Sequence, residues 1–125
     1  MNGPRETRFA PATPVLRTGD YPAARAFYVD VLGFECCEEA GDPVVGFGIF
    51  RRGQARVFVE AWYGPEAPYN RWRAYFHVSS VDDLAKEIEA AGGTLLKAPY
   101  VTEYGMRELE IADPDGNVLG FGADI

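Results

Sequence analysis

The sequence predicts an α+β fold built from two tandem βαβββ modules, and three observations carry that prediction. The order strand, helix, three strands can be read twice along the 125 residues. Both predicted helices stop at a glycine, Gly33 and Gly92, about sixty residues apart, and so do the strands that lead into them, which points to an internal duplication. Short β-favouring runs are separated by clusters of Gly, Pro, Asn and Asp, the residues that make turns. Such modules would pack sheet to sheet around a shared cleft. Element order alone also allows an ordinary α+β domain whose halves look alike by chance.

Each element has its own justification. Residues 1–13 form an N-terminal arm, and residues 14–62 the first module. PVLRTGD from Pro14 is strand-like. In YPAARAFYVDVLGF, Ala24, Phe27, Tyr28, Val31 and Leu32 recur at helical spacing until Gly33 ends the helix. Three β runs follow, Phe34 to Glu38, Val44 to Phe50 and Ala55 to Trp62, divided by Gly41-Asp42-Pro43 and Arg51-Arg52-Gly53-Gln54. Residues 63–72 are a linker loop rich in Pro, Gly and Asn. The second module, residues 73–125, opens with Arg73 to Val78 as a strand. Its helix is capped by Ser79 or Ser80 and carries the apolar stripe Val81, Leu84, Ile88 and Ala91. Thr94 to Ala98, Arg107 to Ala112 and Val118 to Gly122 supply the last strands, with DPDGN at 113–117 as a tight turn.

Composition narrows the function. The apolar fraction of 47%, with 14 Gly and 9 Pro, suits one turn-rich globular domain. No segment approaches the ~18 uncharged apolar residues of a membrane span, and the N-terminus lacks the apolar core of a signal peptide, so a cytoplasmic location is expected. Nineteen acids against twelve bases give a net charge of −7, which repels a phosphate backbone and argues against nucleic acid. The same balance modestly favours a cationic ligand at long range, although it reads first as a means of keeping the protein soluble. Cys36 and Cys37 are adjacent and read as reduced thiols, not as a disulfide or a metal knuckle.

Three stretches, AARAFYVDVLGFE at 23–35, VSSVDDLAKEIEAAGG at 78–93 and TEYGMRELEIADPDGNVLGFG at 102–122, closely resemble the vicinal oxygen chelate superfamily of glyoxalases, bleomycin-resistance proteins and dioxygenases. The resemblance runs from about Pro14 to Gly122. It implies paired βαβββ modules with curved mixed sheets, each bordering a cleft, and a homodimer with its clefts at the subunit interface. Function does not follow from that frame, because it hosts isomerases, oxygenases, transferases and pure binding proteins.

The enzymes that the sequence resembles set a divalent metal on four His, Gln or Glu donors. The corresponding positions here are Thr13, Glu60, Arg73 and Gly120. Only Glu60 offers a carboxylate, and a guanidinium cannot coordinate a cation. Neither a metal nor another cofactor is expected, and Arg73 is expected to pair with Glu60 or with a ligand. His77, the sole histidine, shares a face with Ala74 or with Tyr75 depending on register, and reads more readily as structural than as a ligand. Loss of the metal donors, and YGMRELEIADPDGN in place of WGxREFxxxDPxGN, place the resemblance nearest the resistance proteins.

The expected cleft lining is Phe47, Glu60, Trp62, Tyr69, Trp72, Arg73, Tyr75, Tyr104, Arg107 and Glu110. Phe58 and Phe76 read more as core, and Glu108 as wetted surface. Glu60 and Trp62 project from one strand face, as do Glu108 and Glu110 from another, with Arg107, Leu109 and Ile111 opposite. Flat rings suit an aromatic guest. The expected function is metal-free sequestration of an aromatic or cationic natural-product antibiotic, bleomycin-like or enediyne-like, to confer resistance. The alternatives are a lyase, isomerase or dioxygenase of the same superfamily with an altered metal site, or a metal-free enzyme using Glu60, Glu110 or His77 as general base.

Overall fold

The computed structural model describes residues 5–64 and 71–125. The first sheet holds β1 (Val15–Thr18), β2 (Glu35–Ala40), β3 (Phe47–Arg52) and β4 (Ala55–Ala61), in the order β1-β4-β3-β2. The second holds β5 (Trp72–His77), β6 (Lys97–Val101), β7 (Met106–Ala112) and β8 (Val118–Asp124), in the equivalent order β5-β8-β7-β6. In each, the first strand lies parallel to the last and the other pairs are antiparallel. Each module is thus βαβββ, with helix α1 (Tyr21–Ala26) or α2 (Val81–Ala90) after its first strand. No helix among the described residues is long and apolar enough to cross a membrane.

Local chemistry sets the helix ends. Asp20 accepts from the Ala23 amide at 3.1 Å, and Pro22 occupies the first turn, where no amide is needed. Ser80, one of the two expected caps, accepts from Asp83 N at 3.1 Å. Gly33 and Gly92 leave their helices at φ 71° and 83°, a conformation costly for any residue with a Cβ. Ala91, expected in the α2 stripe, is exposed, because the helix has already turned out at Ala90; Ala85 takes its place beside Val81, Leu84 and Ile88.

The first helix is not uniform. Beyond Ala26 it widens into a π-helical turn, Phe27–Val31, in which the Leu32 amide bonds the Phe27 carbonyl at 3.1 Å. The widening falls where two large side chains, Tyr28 and Leu32, are both driven fully into the core. β6 starts three residues later than the sequence suggests. Gly93 is held by the Ile88 carbonyl and Leu95 packs on the core, so this stretch completes the helix exit before the strand begins.

One hydrophobic cluster joins both modules. Leu16, Tyr28, Leu32, Phe50, Val57 and Val59 pack with Ile88, Leu109, Ile111, Leu119 and Phe121. Phe76 stacks on Phe121 with centroids 5.1 Å apart and meets Phe34 edge-on, so it belongs to the core as expected. A polar clamp adds to this. Asp113, in the DPDGN turn, receives the Tyr28 hydroxyl at 2.7 Å and the Asn117 side chain at 2.8 Å, while Asn117 also donates to the Arg17 carbonyl at 3.0 Å. The turn of the second module therefore grips the first strand and helix of the first.

Because the helices and the shared core cover one face of each sheet, the other face stays open. On the first sheet it carries Arg17, Phe47, Ile49, Arg51, Arg56, Phe58 and Glu60; on the second Tyr75, His77, Tyr100, Glu108 and Glu110, with Gly120 and Gly122 between them. The alternation of buried and half-buried residues along β3, β4 and β7 records this division.

Candidate functional site

The open face of the second sheet is paved by rings lying on glycine. Trp72 and Tyr75 sit on β5 beside β8, at either side of a bulge that takes Arg73 out of register. A Cβ on Gly120 would fall 2.8 Å from Trp72 Nε1 and 2.9 Å from Tyr75 Cδ2, and one on Gly122 would overlap the Tyr75 hydroxyl. Only glycine lets both rings lie down on the sheet. Their centroids are 4.6 Å apart, and the indole donates to Glu110 Oε2 at 2.9 Å, which fixes its orientation. Lys97 lies 3.9 Å from the same carboxylate.

Beyond this shelf is a carboxylate enclosed by phenols. Glu108 is 1% exposed, not wetted surface as its sequence setting suggests. Tyr75 donates to it at 2.8 Å, Tyr100 at 3.2 Å, and Tyr104 to both of its oxygens at 2.9 and 2.8 Å. The hydroxyls stay protonated. Burial and then the bond to Glu108 push Tyr75 well above the usual phenol range, and for Tyr104 the bond to Glu108 is the larger cause. His77 shares this face and meets the Tyr75 ring edge-on at 5.3 Å, which resolves its register in favour of Tyr75.

The open face of the first sheet is its basic counterpart. Glu60 lies in register between Arg17 and Phe47, and the Arg17 guanidinium lies 4.3 Å above the Trp62 ring. Phe47 and Phe58 pack at 5.3 Å, so Phe58 lines this face and is not core. Arg51 and Arg56 stand directly opposite each other; Glu35 lies 3.8 Å from Arg51, and Arg56 lies over the Phe58 ring at 5.6 Å, which offsets the repulsion of like charges.

Nine of the ten expected lining residues can thus be placed. Phe47, Glu60 and Trp62 belong to the first sheet's face; Trp72, Tyr75, Tyr104 and Glu110 gather on the second's. Arg73 is half-buried in the bulge and on a different sheet from Glu60. Arg107 does not join them. It projects from the opposite face of β7 and holds Asp82 of α2 through two bonds of 2.9 and 3.0 Å. Tyr69 lies outside the described residues. Sequence reasoning missed Arg17, whose alternation with buried Leu16 and Thr18 marks it as open-face, and undervalued Glu108, whose tyrosines come from three separate segments.

A divalent ion finds poor accommodation here. Of the four positions where the family's enzymes carry donors, Thr13, Arg73 and Gly120 offer no His, Gln or Glu side chain, and the indole of Trp72 occupies the space above Gly120. Among the described residues, no three of His, Cys, Asp and Glu are grouped so as to hold a metal. The donor set does not fit a catalytic ion.

Paired βαβββ modules, each a four-stranded mixed sheet with one open face, define the class of fold to which the chain belongs. Residues 10–121 match the Glyoxalase/Bleomycin resistance protein/Dioxygenase superfamily, and the chain belongs to it. It is 28% identical, over 88% of its length, to the anthracycline biosynthesis proteins DauV of Streptomyces sp. (strain C5) and DnrV of Streptomyces peucetius. The match takes in 46% of each, so the chain spans about half the length of these curated relatives. Among solved structures, a glyoxalase-related enzyme from Clostridium phytofermentans superposes with a TM-score of 0.80 at 19% identity, covering 98% of this chain and all of that one.

Proposed function

We propose that the protein binds a planar, polycyclic aromatic natural product without a metal and sequesters it unchanged. The observation that carries this reading is the Trp72–Tyr75 shelf laid on Gly120 and Gly122, at the place where a metal-dependent relative needs a donor. A stacked ring gains about 0.5–1.5 kcal/mol per pair beyond its buried area, and two pre-positioned rings lose little entropy on binding. The names of the two Streptomyces relatives favour an anthracycline-type guest, four fused rings, over a bleomycin-like or enediyne-like one.

The guest completes its enclosure at a homodimer interface, between the second sheet of one copy and the first sheet of another. What supports this is that each open face alone is only a half-exposed shelf, with Trp62 and Trp72 39% and 37% exposed. The biosynthetic names of the relatives favour one second reading, in which the same shelf presents an intermediate to a general base such as Glu110.

The test is a tryptophan-fluorescence titration of chelator-stripped protein with a tetracyclic anthraquinone, followed by mass spectrometry of the recovered compound. Saturable quenching and unchanged mass are expected. Altered mass would move the assignment to the enzymatic reading, and no quenching would remove the binding reading.

A further inference from the structure

Holding the Tyr75 hydroxyl needs one acceptor, yet the Glu108 carboxylate also receives two further phenols, Tyr100 and Tyr104. Taking a carboxylate wholly out of water is costly unless hydrogen bonds and an opposite charge offset it. Tyr75, Tyr100 and Tyr104 supply hydrogen bonds, but they are neutral donors. Lys97, a cation on this face, is 3.9 Å from Glu110 and lies over the Tyr100 ring at 5.5 Å, so it is engaged beside the collar.

We infer that Glu108 and its tyrosine collar form a receptor for a protonated amine on the aromatic guest, with Tyr104 as the displaceable cap. Two of the three phenols are fixed by the sheet, since Tyr75 stands on Gly122 and Tyr100 faces Glu108 across the β6–β7 ladder. Tyr104 is different. It sits on the 102–105 turn, the residue 65% exposed, yet its hydroxyl bonds both carboxylate oxygens. A guest that replaced this hydroxyl with another hydroxyl would gain nothing. One that replaced it with an ammonium would keep a charged acceptor's hydrogen bond, add the attraction of opposite charges in a site shielded from water, and bring the cation against electron-rich ring faces. The exchange itself therefore selects a cation. Glu108 and Glu110 alternate along β7, so the receptor adjoins the Trp72 shelf, and one molecule with a planar ring system and a basic side arm spans both.

This assignment rests on the shelf reading, and the experiment separates the two. An anthraquinone bearing a primary aminoethyl arm and its N-acetylated twin share one chromophore and differ in charge. In wild-type protein the amine is expected to bind about tenfold more tightly than the acetamide. Glu108→Gln should bring that ratio close to one. Tyr104→Phe, at an exposed position that leaves folding intact, should widen the ratio by removing the competing hydroxyl. Equal binding of both probes by wild type, a preference that survives Glu108→Gln, or an unchanged or narrower ratio in Tyr104→Phe would overturn the amine receptor and leave the shelf standing. Failure of both probes to bind wild type would overturn both.

Discussion

Adding one methyl group to the floor of the shelf should dismantle it. In Gly120→Ala the new Cβ would stand 2.8 Å from two atoms of the Trp72 ring and 2.9 Å from Tyr75, closer than carbon contacts allow, and both neighbours are rigid rings. Trp72 must lift, which forfeits its bond to Glu110, worth about 1.5–3 kcal/mol to a charged acceptor and nearer ~1 at this half-exposed position. It also loses part of the ring pair, about 0.5–1.5 kcal/mol. Gly120 has no positive φ, so alanine recovers some 0.4–1 kcal/mol through the unfolded chain. The net cost is about 1–2 kcal/mol. With an unfolding entropy near 2.1 cal/mol/K per residue, that is a fall of roughly 4–8 °C in Tm. Binding should suffer more than stability, with affinity for a tetracyclic anthraquinone down at least about tenfold. The assay is fluorescence in a Trp62→Phe background, where Trp72 is the remaining tryptophan of the two. The alanine variant should show red-shifted Trp72 emission and weakened quenching. Unshifted emission with undiminished affinity would refute the glycine-floor account.

Three further outcomes follow from the same contacts. Tyr28→Phe removes a 2.7 Å bond to buried Asp113 and should lower stability by about 1.5–3 kcal/mol in denaturant melts, with guest affinity retained. Arg107→Ala, which breaks the pair with Asp82 on the helix side, should leave guest affinity within about twofold in the quenching assay. Glu39 is held below the usual carboxylate range by the Tyr21 hydroxyl and then by Arg25. Its contribution is therefore present above the ordinary glutamate range and disappears as pH falls through its lowered folded value. The Tm difference between wild type and Glu39→Gln should shrink on acidification; a difference that grows would contradict the sign.

Much of the frame was legible in the sequence because local chemistry and periodicity agreed. Gly33 and Gly92 marked both helix exits, Ser80 a cap, and DPDGN a turn whose Asp113 and Asn117 do bind back on it. The alternation in β4 and β7 also separated Glu60 and Glu110 from their buried neighbours. What failed depended on contacts between distant segments. Arg107 looked available until α2 brought Asp82 to it, and Phe58 looked like core until β3 put Phe47 beside it on the open face. Glu108 is the clearest instance. A lone glutamate in an alternating strand reads as solvated, and its burial arises from tyrosines at 75, 100 and 104, which only the completed sheet assembles.

The most direct measurement is calorimetric titration of chelator-treated protein with the tetracyclic anthraquinone, repeated after adding Zn, Ni, Fe or Mn. Saturable binding of the same strength in both conditions, lost in Trp72→Ala, is the predicted result. Binding that appears only once a divalent ion is restored, or that is indifferent to Trp72, would contradict it.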